Sequence, residues 1–277
     1  MDFFTEVFKA LNAKTSQEKC DLTQEIYHNF ETLFFSFDTP IQSLKSPTFA
    51  NFCEIVEPNK VPQGKFIKSD LNLAHLLHSI AHIEFSAIDL ALDCAYRFRN
   101  LPKQYYKDWI NVAYEETTHF MHLENHLKQI GYFYGAFRVH RILFDSMQKC
   151  DVLLDRIALV PKSMEAVGLD VNPFLCAKIK ECNHSLKNEL LNTLEIILND
   201  EIKHVNKGNV WFDFACEKSG ITKENRAKFY IELLKKYNFS FPKANKNFNE
   251  EARLKAGFTR EELRLLKDEV FLSHNPK

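Results

Sequence analysis

Glu115-Glu116-Thr117-Thr118-His119 and Asp200-Glu201-Ile202-Lys203-His204 repeat one pattern, an acidic residue followed by Glu-x-x-His, within two strongly helical stretches of a 277-residue chain. Residues three apart on a helix project from one face, so each copy turns a carboxylate and an imidazole toward the same neighbour. A single copy is commonplace on a solvated helix, where it reads as an ion pair. Two copies constrain the fold, because dinuclear carboxylate bundles take Glu-x-x-His from each of two helices and one Glu from each of two others. At helical spacings around Glu116 stand Trp109, Val112, Ala113, Phe120, Leu123 and Leu127, and around Glu201 stand Leu194, Ile197, Leu198, Val205 and Phe212. Both motifs therefore point into a core, where carboxylates are costly unless protonated, paired or metal-bound. Glu115 and Asp200 are candidates to accept the ring N–H of the histidine on the opposite helix, which would fix its tautomer.

The two remaining carboxylates follow from counting. Residues of an antiparallel pair at the same height are equally far from the connecting break, and Asn100-Leu101-Pro102 precedes the helix of Glu116. Counting back an equal distance reaches Glu84, on a stripe of Leu77, Ile80, Ala81, Ile88, Ala91 and Ala95. The partner of Glu201, across a turn near Glu181 to His184, is Glu165 or Asp155; Pro161 and Gly168 predict a kink or break beside Glu165. The expected set is thus Glu84, Glu116, His119, Glu165, Glu201 and His204, holding two metal ions. His78 and His82, and with them His75, are spaced to form a second metal face, with structural or hydrogen-bonding roles the expected alternative; His122 and His126 follow His119 along its helix, and His140 is a candidate lid residue.

With only 7 Gly and 9 Pro, the chain reads as all-α, with long helices and few tight turns. Residues 1–68 form a helical extension, whose second helix starts at the capping box Thr15-Ser16-Gln17-Glu18 and runs to about Phe37. Residues 69–220 form the bundle, with helices at about 69–99, 103–130 (closed by Gly131), 149–168 and 185–218 (closed by Gly220). The long second-to-third connection is the ferritin-like crossover. Residues 221–277 form a further helical extension with 13 Lys and Arg against 8 Asp and Glu, and a last helix capped at Thr259 to Glu262. Lys243, Lys246 and Arg253 are its candidate contacts to an anionic partner, although the segment Asn249 to Arg253 is expected to pack back on the bundle with Arg253 pairing to a helix end or a carboxylate. A formal net charge of −1 gives no general attraction to nucleic acid, which is disfavoured rather than ruled out. Seven scattered Cys without a C-x-x-C pair, and an N-terminus without a basic-then-apolar run, predict a cytoplasmic protein. No apolar run is long enough to span a membrane, and a homodimer is compatible with the pattern.

The blocks His78-Ser79-Ile80-Ala81-His82-Ile83-Glu84, Glu115 to Phe120, Val160 to Asp170 and Asp200 to Val205, with Asn249 to Arg253 and Ala256 to Phe258, resemble the bacterial ferritin-like family catalogued as domain of unknown function 455, from about Phe3 to Leu265. The resemblance implies a ferritin-like four-helix bundle with a dinuclear metal site. More distantly, the chain is similar to the di-iron tRNA hydroxylase that acts on a methylthio-isopentenyl adenosine, which favours Glu165 over Asp155. Val167 stands where both families lead one to expect Arg, so no contact is carried over to that position. The expected function is a dinuclear, foremost di-iron, oxidoreductase that activates O2 to oxidise or hydroxylate a small-molecule or nucleoside substrate, with manganese or a mixed Mn/Fe pair as alternative metals. The electron donor is not indicated. Alternative functions are a ferroxidase or metal-handling protein, a tRNA-modifying hydroxylase, or a scaffold with a structural metal or none.

Overall fold

A computed structural model describes residues 1–62, 64, 66–239 and 248–274 of the chain. Its regular elements are helical: α1 (Phe3–Leu11), α2 (Ser16–Asn29), α3 (Asp70–Arg97), α4 (Lys103–Gln129), α5 (Ile142–Met147), α6 (Leu153–Leu159), a π-helical turn (Val160–Met164), α7 (Glu165–Glu181), α8 (Lys187–Lys218), α9 (Lys223–Lys236), α10 (Glu250–Lys255) and α11 (Arg260–His274). The all-α expectation holds. Among the described residues no helix is long and apolar enough to cross a membrane. Lys243, Lys246 and most of the linker before Asn249 lie outside the described residues.

The chain forms two compact units, one of residues 1–149 with 182–193, the other of residues 150–181 with 194–277. In the first, α3 and α4 are joined by Asn100 to Pro102, with Asn100 at a φ of 58°. Tyr106 Oη braces that turn, donating to Phe98 O at 3.1 Å and accepting from Leu101 N–H at 3.2 Å. Helix α4 closes as expected: Gly131 takes a φ of 81°, and Tyr132 N–H donates back to Leu127 O at 2.9 Å. The capping box of α2 is present, with Glu18 N–H donating to Thr15 Oγ1 at 3.1 Å. The helix does not run to Phe37, however; it stops at Asn29 and gives way to a 3-10 turn, Phe30–Thr32. Aromatic packing overrides continuation there, because Phe35 stacks on Phe3 at 4.5 Å and Phe30 meets the same ring edge-on at 5.7 Å.

In the second unit the helix expected over 149–168 begins at Leu153 and, after the π turn, continues to Glu181. Pro161 explains the turn, since it lacks the N–H an α-helix needs, and the extra residue per turn lets Ser163 Oγ donate to Ala158 O at 2.6 Å instead. Helix α8 meets this turn at Gly208, where a Cβ would stand 2.8 Å from the carbonyl carbon of Pro161. No larger side chain fits there without displacing backbone. Gly220, at a φ of 73°, closes α8 as expected, and Ile221 N–H donates to Cys216 O at 2.9 Å. Thr259 caps α11 reciprocally with Glu262.

Candidate metal centre

Every residue on the predicted stripes of Glu84 and Glu116 is buried, and Glu84 and Glu116 are themselves 5% and 0% exposed. The equal count from the Asn100 turn sets them at one height on α3 and α4. His119, one turn after Glu116, brings its Nδ1 to 3.2 Å from Glu84 Oε2 and 3.4 Å from Glu116 Oε2. On α8, Glu201 and His204 are buried as the spacing requires. Within the first unit, Glu84, Glu116 and His119 each offer a ligand atom within 4.8 Å of the others. Two carboxylates and an imidazole at that spread can hold a metal ion.

Glu165, Glu201 and His204 belong to the second unit. Glu165 is half-buried on the first turn of α7. Three residues later, on the same face, a Cβ on Gly168 would come within 3.8 Å of Glu201 Cδ, so this face of α7 meets the Glu201 carboxylate. Its rival Asp155 is committed elsewhere, accepting from Lys236 Nζ at 2.5 Å and Tyr237 Oη at 2.6 Å. Asp200 accepts from its neighbour Lys203 at 2.7 Å, and Glu115 is half-buried on α4.

His78, His82 and His126 take hydrogen-bonding roles. His82 Nε2–H donates to the carbonyl of His140 at 2.6 Å, which leaves Nδ1 to accept from Tyr134 Oη at 2.9 Å. His78 Nε2 accepts from Gly135 N–H at 3.0 Å, and His126 Nε2 meets Thr193 Oγ1 at 2.9 Å; His122 is exposed. Sequence reasoning placed a kink or break at Pro161 without its form, the π turn, and missed the close approach at Gly208 and the buried Lys162, which pairs with Glu262 at 2.8 Å. A glycine inside a long helix, four residues after a histidine of the motif, was the available signal for the second of these.

Burial, and after it the negative charge of Glu116, raises the pKa of Glu84 above its ordinary 4.5, with His119 opposing the shift. The folded metal-free chain then holds a proton on Glu84 that the unfolded chain releases near pH 4.5. Its stabilising contribution is complete below that pH and is lost as pH rises through the raised folded-state value. Glu84→Gln, which stays neutral, is expected to stabilise the metal-free protein relative to wild type more at pH 8 than at pH 5. Each tenfold difference in proton affinity between the folded and unfolded chain corresponds to about 1.4 kcal/mol, and melting in the presence of chelator at the two pH values measures it.

The family model described as "Protein of unknown function (DUF455)" matches residues 12–264. An uncharacterized protein of Haemophilus influenzae (strain ATCC 51907 / DSM 11121 / KW20 / Rd) is 38% identical over 274 residues, covering 94% of this chain and 92% of the relative. No solved structure matches. Neither finding supports the more distant likeness to the tRNA hydroxylase.

Proposed function

For a chain that belongs to the DUF455 family, we propose a ferritin-like, dinuclear metal oxidoreductase, with iron the foremost metal, acting with O2 on a small-molecule or nucleoside substrate in the cytoplasm. The observation that carries this reading is the buried cluster of Glu84, Glu116 and His119 in the first unit, together with the burial of the second Glu-x-x-His, Glu201 and His204, on α8. Donors around one ion at about 2.0–2.2 Å stand no more than about 4.4 Å apart, so a spread within 4.8 Å asks only small side-chain adjustments. Oxygen and imidazole donors without thiolate suit iron or manganese. In this reading Glu165, Glu201 and His204 complete the set, Glu165 from the face of α7 that meets Glu201, and His204 one turn after Glu201 on α8. Manganese or a mixed Mn/Fe pair fits the same donors.

Bound iron or manganese would supply one-electron redox steps and open positions for O2. The chain's own part is charge and exclusion of water. The carboxylates offset the charge of the cations, and the residues directly after two ligands, Phe85 and Phe120, are fully buried, with ring centroids 4.9 Å apart and 5.2 and 5.0 Å from Tyr134. Such a wall keeps water from the reacting atoms.

The test is anaerobic loading with Fe(II) followed by O2. Rapid O2 uptake in proportion to bound metal, lost in Glu116→Ala, is the expected result. Continued uptake with excess Fe(II) and no organic reductant would instead favour a ferroxidase. Uptake no faster than that of Fe(II) in buffer would overturn both.

A further inference from the structure

Pro161 and Pro173 flank Glu165 within one helical run. Inside α7, Pro173 has no N–H to offer the carbonyl of Leu169, four residues before it, and Leu169 is fully buried. An unmet carbonyl there would be costly. The donor comes from 80 positions away in sequence: Asn249 Nδ2–H donates to Leu169 O at 3.1 Å. The backbone N–H of Asn249 donates to Asp170 Oδ1 at 2.9 Å, while its side-chain oxygen caps α10 by accepting from Ala252 N–H at 3.2 Å.

Two further anchors tie the C-terminal segment to the same run. Arg253, fully buried, donates from Nε and Nη2 to the carboxylate of Asp170 at 3.0 and 2.6 Å and from Nη2 to Ala166 O at 3.3 Å. Lys162 pairs with Glu262 at 2.8 Å and donates to Asn209, its ammonium 4.4 Å from the ring centre of Phe258. The anchors therefore fall three residues before Glu165 and one, four and five residues after it.

We propose that the segment Asn249–Glu262 is a splint that sets the position of Glu165, with Asn249 standing in for the amide hydrogen that Pro173 lacks. Metal occupancy then depends on residues that touch no metal. The proposal rests on the reading of Glu165 as a ligand. By linkage, whatever metal affinity the docked splint adds, bound metal returns as tighter docking.

Asn249→Ser isolates the contact. Serine keeps a capping oxygen for α10 and the backbone N–H to Asp170 but is too short to reach Leu169 O. Pro173→Ala gives Leu169 O its helical donor back. The readouts are melting of the metal-free chain and Co(II) binding, followed by visible absorption well below the melting temperature. Asn249→Ser is expected to melt lower and to bind Co(II) about tenfold more weakly or worse; Pro173→Ala in the same chain should restore both.

A lowered melting temperature that Pro173→Ala does not restore would overturn the exchange of donors. A restored melting temperature, with Co(II) affinity never altered by Asn249→Ser, would overturn the positioning of Glu165. A wild-type chain that binds no Co(II) would remove the metal reading itself and this proposal with it.

Discussion

Glu116→Ala and His204→Ala should each lose most of the metal that the wild-type chain binds, with affinity down by more than the 10–100-fold that follows loss of a mere supporting hydrogen bond. Glu116 is fully buried beside His119, so its removal takes away a donor that no neighbouring water or surface group can replace. His204 tests the other motif, since it lies outside the cluster of the first unit and enters only through the two-metal reading. The discriminating pair is Glu165→Ala against Asp155→Ala. Asp155 is occupied by Lys236 and Tyr237, so its loss should lower the melting temperature and leave the metal count alone. Glu165→Ala should do the reverse. Equilibrium dialysis with elemental analysis measures all four, and unchanged stoichiometry in both Glu116→Ala and His204→Ala would sink the assignment.

Arg253→Met should destabilise the fold by about 3–5 kcal/mol, because it leaves a buried charge on Asp170 unpaired. Arg253 and Asp170 are 0% and 1% exposed, and their bond is bidentate. Chemical denaturation of the metal-free chain measures the loss. Adding Asp170→Asn should recover part of it, since the amide still accepts from Asn249 N–H while the unpaired charge is gone. A loss of less than about 1 kcal/mol in the single variant would mean the pair behaves as a surface ion pair.

What could be read from the sequence was periodic or local. The stripes around Glu84 and Glu116 follow the 3.6-residue period, and burial bears out each of their positions. Glu84 itself came from counting outward from the Asn100 turn, which works because the two flanking helices are continuous and antiparallel. Capping at Thr15 and Thr259, and closure at Gly131 and Gly220, depend on neighbours within one turn. Where the sequence misled, distant residues decide. Helix α2 ends early because Phe30 and Phe35 pack on Phe3, and the helix of Glu165 runs on to Glu181, with Asn249 donating to Leu169 O from 80 positions away. Gly168 and Pro161 argued locally for a kink or break near Glu165, and at Pro161 the α-helix is indeed interrupted by the π turn. The π turn absorbs Pro161 and lets the helix continue, and Gly168 sits inside it against Glu201. The expected pairing of Arg253 with a carboxylate is present, but its partner, Asp170, could not be named from spacing alone.

The most direct test of the central claim is the metal content of the folded chain. After incubation with Fe(II) or Mn(II) under anaerobic conditions and removal of excess metal, elemental analysis should give about two ions per chain. The melting temperature should rise with metal and fall again with chelator, because an ion that binds only the folded state stabilises it by mass action. No retained metal, together with a melting temperature indifferent to Fe(II), Mn(II) and chelator, would contradict the account.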